Sequence, residues 1–167
     1  MRKKILVTGG TGYIGSHTVV ELQKRGFDVI IIDDLSNSTI DVLDSIAKIT
    51  GIKPAFEQFN LKDKNKTRSF FKAHTDIDAI IHFAASKAVG ESVEKPLLYY
   101  SNNLISLMNL LESMNEFSVR NLVFSSSCTV YGQPDKLPVT EHTPRKDAES
   151  PYGNTKKIGE EILKDAS

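Results

Sequence analysis

A tyrosine and a lysine stand four residues apart in Ser150-Pro151-Tyr152-Gly153-Asn154-Thr155-Lys156, directly after a proline able to open a helix. On an α-helix such a pair shares one face, about 6 Å apart along the axis. Lys156 can therefore bring its ammonium near the Tyr152 hydroxyl, or near a group that both touch. A neighbouring cation favours the charged form of a phenol and lowers its pKa from the reference near ~10. Such a phenolate could serve as general base toward a hydroxyl. Tyr-x-x-x-Lys also occurs on plain solvated helix faces, so the pair acquires meaning only beside a hydride acceptor.

The opposite end of the chain supplies the elements that would hold one. Lys4 to Thr8 is a short aliphatic run that predicts a buried strand, and it leads into Gly9-Gly10-Thr11-Gly12-Tyr13-Ile14-Gly15. A helix is expected next, with Ile14, Thr18, Val19 and Leu22 on one face, stopping at Gly26. Phe27 to Ile32 then predicts a strand ending in Asp33-Asp34. Strand, helix and strand within about 30 residues make one right-handed crossover unit. The glycines fit both G-x-G-x-x-G and G-x-x-G-x-x-G, spacings that let backbone N–H groups approach a pyrophosphate at a helix N-terminus. Asp33 lies 18 residues past Gly15, where a carboxylate accepts hydrogen bonds from the adenosine ribose of NAD. A 2′-phosphate would be repelled by Asp33 and Asp34, so NAD is expected over NADP.

The intervening chain keeps alternating. A loop and then a helix within residues 36–50 (Ile40, Leu43, Ile46 and Ala47 on one face), a strand from Pro54 to Phe59 and a charged helix from Lys64 to His74 with Phe70 and Phe71 inward are predicted. Asp78 to Ala85 reads as a strand buried on both faces, followed by a polar loop from Ser86 to Lys95. Pro96 opens a long helix to about Asn115, its apolar stripe being Leu97, Tyr100, Leu104, Leu107, Leu111 and Met114. Asn121 to Ser127 reads as a fifth strand, and residues 132–150 form a loop long enough to act as a lid. A last helix starts near Tyr152 and is still unfinished at Ser167. The pattern predicts an α/β, Rossmann-type doubly wound parallel sheet of order 3-2-1-4-5, a single dinucleotide-binding domain over residues 1–167. Ligands of such sheets collect at the carboxyl ends of the strands, where residues 9–15, 33–38, 83–92, 125–132 and the Tyr152 turn are expected to converge.

Composition narrows the setting. Twenty-one basic against 21 acidic residues give a formal net charge of +0, which offers no overall attraction to nucleic acid or an anionic membrane. Cys128 is the only cysteine, so no internal disulfide forms and a reducing compartment fits. The apolar run Ile5-Leu6-Val7 behind Arg2-Lys3-Lys4 is too short for a signal peptide, and no run approaches a membrane span. A cytoplasmic protein is the expectation. The four histidines have no metal-ligand spacing: His82 is expected as a satisfied core residue, His17 as packed in the first helix, and Cys128 as a small buried residue.

The stretches TGGTGYIGSHT (8–18), DDLSNS (33–38), HFAASKAVGESVEKPLLYYSNN (82–103), FSSSCTVYG (124–132) and SPYGNTK (150–156) resemble the extended short-chain dehydrogenase/reductases. Within them they are similar to the N-terminal part of the UDP-glucose (UDP-galactose) 4-epimerase family. The resemblance implies bound NAD, a UDP-sugar substrate and a transient 4-keto sugar. Tyr152 would take the sugar 4′-hydroxyl proton, Ser127 would hydrogen-bond the same oxygen, and Lys156 would hold the nicotinamide ribose and assist Tyr152. Gly9, Gly12 and Gly15 would admit the pyrophosphate, with Tyr13 and Ile14 as backbone contacts. Asp33, Asp34, Leu35, Ser36, Asn37 and Ser38 would line the adenosine ribose pocket, and Asn60 and Leu61 would flank the adenine. Phe83, Ala84, Ala85 and Lys87 would reach the middle of the cofactor, with Asn102 nearby. Family members have Asp where Asn60 stands; its amide oxygen can still accept from the adenine amino group.

Sugar-nucleotide 4,6-dehydratases carry an Asp-Glu pair where this chain has Ser127-Cys128, which weighs against that chemistry. Members of the family are about twice as long, with a C-terminal part that grips the sugar nucleotide. This chain alone is therefore expected to have little epimerase activity, and the family homodimer is doubtful for it. A non-catalytic NAD-binding module and another extended-family dehydratase or decarboxylase are the alternative readings.

Overall fold

The computed structural model describes residues Arg2–Ser167. They fall into two compact units: residues up to Ala84 with Asn109–Ser125, and Ala85–Met108 with Ser126–Ser167.

The first unit is built on five strands, β1 (Lys4–Thr8), β2 (Asp28–Asp33), β3 (Ala55–Gln58), β4 (Ile77–His82) and β5 (Leu122–Phe124). All neighbours pair in parallel, in the order β3-β2-β1-β4-β5 that the alternating pattern predicts. Successive side chains of a strand point to opposite faces, so an unbroken aliphatic run supplies two cores at once. On one face Leu6, Ile30, Ile32 and Ile80 pack with Phe70 and Phe71 of α3 (Lys64–Ala73) and with Leu110 and Met114. On the other, Ile5, Val7, Val29 and Ile31 pack with Val19 of α1 (Tyr13–Lys24) and with Leu43 and Ile46 of α2 (Asp41–Thr50). His82 is buried, with Nδ1 2.7 Å from Thr8 Oγ1, as expected of a satisfied core histidine.

Local signals set the helix ends. Asp63 caps α3 by accepting from the Lys66 N–H at 3.0 Å, and α2 stops at Gly51, whose φ of 76° is the left-handed state glycine tolerates.

The second unit contains α4 (Val89–Glu94), residues 96–108 of α5 (Pro96–Glu116), a 3-10 turn (Cys128–Tyr131) and α6 (Pro151–Asp165). Pro151 opens α6, and the Ser150 hydroxyl caps it by accepting from the Gly153 N–H at 3.1 Å. Residues 109–116 of α5 belong to the first unit.

Several sequence expectations need correction. The segment read as a polar loop from Ser86 to Lys95 contains α4, a helix too short to show an amphipathic period. Strand β5 ends at Phe124, so the three serines lie beyond it, and α6 ends at Asp165. Ile14 and His17 are exposed; the buried face of α1 is Gly15, Val19 and Gln23, which lets the helix start lie close to backbone. Cys128 is exposed, in a 3-10 segment whose buried residue is Val130. On α5, Leu107 and Met114 of the expected stripe are buried and Tyr100, Leu104 and Leu111 half-buried, but the inner face also takes polar residues the stripe did not include. Tyr99, Asn103, Ser106, Leu107, Leu110, Ser113 and Met114 are buried, whereas Leu97 is 81% exposed. Polar side chains that find partners compete successfully with leucines for the inner face.

Phe71 is fully buried in the α3 core. Phe71→Ala should lower the unfolding free energy by about 3–5 kcal/mol in urea denaturation, the cost of lost burial plus the cavity left behind. A loss under about 1 kcal/mol would show that the core around α3 is not the packed one described.

Candidate functional site

In the first unit the glycine turn is held by backbone hydrogen bonds and by close backbone approaches at Gly9 and Gly15. The Gly9 N–H donates to Ile32 O at 2.8 Å and the Gly12 N–H to Gly9 O at 3.2 Å. Gly9 has φ of 70°, and a Cβ there would lie 2.6 Å from the backbone nitrogen of Ala84. A Cβ at Gly15 would overlap the Gly9 carbonyl oxygen, so α1 can begin this close to the β1 turn only because Gly15 has none. No side chain caps α1, and no acidic residue occupies its first turn. Its leading N–H groups and positive dipole end are therefore left for an anion.

Asp33 joins this turn to the end of β2. Its Oδ2 accepts from the Thr11 N–H at 3.2 Å and its Oδ1 from the Leu35 N–H at 3.0 Å. A carboxylate has about four acceptor positions, so two stay open to ribose hydroxyls. Thr11 Oγ1 lies 2.7 Å from Ser38 Oγ, tying the two loops a second time. Leu35 has φ of 60°, and the Asp34 carboxylate accepts from the Ser36 N–H at 2.9 Å. The other Asp34 oxygen accepts from Asn60 Nδ2 at 2.6 Å, while Asn60 Oδ1 accepts from the Lys62 N–H at 2.9 Å. Asn60 is thus oriented by its neighbours. Leu61 is buried in the core, and its carbonyl accepts from Asn109 Nδ2 and Thr67 Oγ1. Ser36 and Asn37 are exposed, and Phe83 packs against the core that contains Val19.

In the second unit Tyr152 and Lys156 sit one turn apart on α6, as the spacing predicts. Lys156 is only 4% exposed, and that burial pushes its ammonium down to about 8. Ser127 Oγ accepts from the Thr129 N–H at 3.3 Å and from Thr129 Oγ1 at 2.9 Å. Both contacts use the oxygen, which leaves the hydroxyl hydrogen for another acceptor. A Cβ at Gly153 would meet the Thr129 side chain at 3.0 Å, so the Ser127 turn abuts the first turn of α6. Asn102 Nδ2 donates to Ser86 Oγ at 3.0 Å, Ala85 is half-buried and Lys87 is exposed.

Each unit thus gathers its own share of the anticipated residues: Gly9, Gly12, Gly15, Asp33, Ser38 and Ala84 in one, and Ser127, Tyr152 and Lys156 in the other. Thr11, Asn103, Asn109 and Thr155 were not anticipated. Asn109 Nδ2 donates to Leu61 O at 2.8 Å and Lys62 O at 3.0 Å, fixing the turn that carries Asn60. The available signal was the run of polar residues at helical spacing (103, 106, 109 and 113) inside an otherwise aliphatic helix. Among the described residues no cluster of His, Cys, Asp or Glu is placed to hold a metal ion, and no helix is long and apolar enough to cross a membrane.

Residues 6–167 match the family model of GDP-mannose 4,6 dehydratase. The chain belongs to this family. It is a member of the extended short-chain dehydrogenase/reductases. It is 52% identical over 163 residues to a UDP-glucose 4-epimerase of Neisseria meningitidis serogroup B, covering 98% of this chain and 48% of that protein. It is 50% identical over 161 residues to the UDP-glucose 4-epimerase of Bacillus subtilis, covering 96% and 47%. The fold superposes on a crystal structure of UDP-glucose 4-epimerase from Bifidobacterium longum in complex with NAD+ and UDP, with a TM-score of 0.95 and 45% identity over 98% of this chain and 48% of that one. The chain therefore spans about half the length of the relatives it matches. What this family member shares with the Bifidobacterium longum protein is the five-stranded parallel fold.

The buried Lys156 carries a stability signature. An exposed lysine in the unfolded chain keeps its proton up to about 10.5, whereas the folded one loses it near 8. Between those values the unfolded state binds more protons, so stability rises with pH across that window; below it the full cost of burying the charge is present. Lys156→Met should be more stable than the parent at pH 7, with the gap narrowing from pH 8 to 10.5. A gap that stays constant in thermal melts across that range would contradict the assignment.

Proposed function

We propose that this chain carries the cofactor-binding and acid–base machinery of an NAD-dependent UDP-glucose/UDP-galactose 4-epimerase. The observation that carries the reading is α6, with Tyr152 one turn before a buried lysine, in a chain about half identical to UDP-glucose 4-epimerases. When bound, NAD would supply the hydride acceptor for C4′ of the sugar and the donor that returns it to the opposite face. The residues fit that cofactor. A glycine turn that excludes side chains, an uncapped helix start and a carboxylate with open acceptor positions suit a pyrophosphate and a ribose. The Asp33 charge, with Asp34 beside it, opposes a 2′-phosphate.

Tyr152 would accept the 4′-hydroxyl proton as the hydride leaves and give it back as the hydride returns. Ser127, its oxygen turned toward Thr129, would donate its free hydrogen to the 4′-oxygen. Lys156 would hold ribose hydroxyls. Asn60 would accept from the adenine amino group through the second lone pair of Oδ1, the first being taken by Lys62. Phe83, Ala84, Ala85, Lys87 and Asn102 would complete the cofactor contacts. The whole of residues 1–167 would act as one dinucleotide-binding domain. The apolar residues Leu97, Leu98, Ile105 and Met108, exposed on α5, suit a second copy of the protein.

A dehydratase reading finds support in the name of the matching family model. Elimination of water needs an acid and a base at the sugar, and Ser127 with exposed Cys128 offers neither in place of carboxylates.

A coupled assay that follows UDP-glucose formation from UDP-galactose tests the proposal on the full-length protein. Tyr152→Phe should lower turnover by roughly 10²–10⁴ while NAD remains bound, the usual loss for a removed proton-transfer group. Undiminished turnover in that variant would sink the mechanism. In calorimetry, Asp33→Ala should weaken NAD binding and narrow the preference over NADP; an unchanged ratio would remove Asp33 from ribose recognition.

A further inference from the structure

We propose that Asn103 is a positioning residue that ties the Ser86 peptide to the α6 turn carrying Tyr152 and Lys156. The inference rests on the epimerase reading for its catalytic consequence, but its geometry stands apart from it. Asn103 is 6% exposed and lies on the inner stripe of α5. Its side-chain amide closes a two-bond pair with Ser86: Oδ1 accepts from the Ser86 N–H at 2.8 Å, and Nδ2 donates to Ser86 O at 3.0 Å. The same Nδ2 donates to Thr155 Oγ1 at 3.0 Å. Thr155, itself 1% exposed, donates its hydroxyl hydrogen to Tyr152 O at 2.7 Å.

Both Nδ2 hydrogens of Asn103 and the hydroxyl hydrogen of Thr155 are committed in this linkage. A backbone N–H and a backbone carbonyl on Ser86 demand opposite ends of the amide, so only one orientation of Asn103 satisfies both. The remaining Nδ2 hydrogen then fixes the direction of the Thr155 hydroxyl. Tyr99 adds a second anchor two residues along, where its hydroxyl accepts from the Ala88 N–H at 3.1 Å and donates to Glu91 at 2.8 Å. Ser86 and Ala88 are thereby pinned, and exposed Lys87 is presented between them. Asparagine is a poor helix former, and burying its amide is costly unless all its partners are met. Alanine would fill an interior helix position at lower cost; what asparagine adds is a fixed distance between the 86–88 segment and the start of α6.

Misplacement of a reacting group by about 1 Å can cost on the order of a hundredfold in rate. Asn103→Ala and the isosteric Thr155→Val should therefore each lower kcat for UDP-galactose by about tenfold to a hundredfold, with KM and bound NAD little changed. Thr155→Ser, which keeps the hydroxyl, should restore the parent rate. The double variant should be no worse than the more impaired single variant, because both remove one linkage. An unchanged kcat, a loss confined to KM, or Thr155→Ser falling as far as Thr155→Val would overturn the proposal. If Asn103→Ala does not fold, the two Thr155 variants carry the test. If the full-length parent protein does not turn over UDP-galactose, the functional reading fails and amide hydrogen exchange decides this one. Residues 86–88 and 152–156 should exchange faster in Asn103→Ala or Thr155→Val than in the parent, with the sheet unaffected; equal protection overturns it.

Discussion

The first unit depends on one close approach, that of the α1 start to the turn after β1. A Cβ at Gly15 would occupy the space of the Gly9 carbonyl oxygen, and one at Gly9 would meet the backbone at Ala84. Removing both side chains lets helix, turn and β4 come together at backbone distance, which leaves uncapped N–H groups at one place on the carboxyl edge of the sheet. Asp33 reinforces the same point by accepting from the Thr11 N–H inside the turn. The carboxylate therefore braces the turn as well as offering acceptors of its own.

The second unit rests on a different economy, the complete pairing of buried polar groups. No buried side-chain nitrogen or oxygen among the described residues lacks a hydrogen-bond partner. Ser150 caps α6, Thr155 bonds back to Tyr152, and Asn103 links Thr155 to Ser86. In a low-dielectric interior such links are worth more than in water, and an unmet one costs more. Lys156 is held within this setting, and its depressed proton affinity is the electrostatic record of that burial.

Much of this was legible before any coordinates. Glycine spacing, the strand-helix-strand length and the acidic residues after the second strand predicted the sheet and its order, because each is a local requirement of the backbone. The Tyr152–Lys156 turn was equally plain, since proline, a capping serine and a four-residue spacing are all adjacent in the chain. Other features were hidden. Apolar periodicity placed Leu107 and Met114 correctly on the inner face of α5, but it also selected exposed Leu97 and passed over the buried Asn103, Ser106, Asn109 and Ser113. Periodicity counts hydrocarbon and cannot see a partner 17 or 52 residues away, such as those Asn103 finds in Ser86 and Thr155. Cys128 and Ile14 were misplaced for a related reason, since small or apolar character says little where a turn or a glycine contact dictates direction.

By itself, then, the order of residues determined the parallel fold, the glycine turn, the acid at the end of β2 and the placing of Tyr152 and Lys156 one turn apart on a helix. Those depend on bonded geometry and on neighbours within a few positions. Tertiary structure alone decided which polar side chains became internal struts, that Asp34 orients Asn60, and that the lysine of the pair is buried. Long-range hydrogen bonds and desolvation depend on distances that only folding creates.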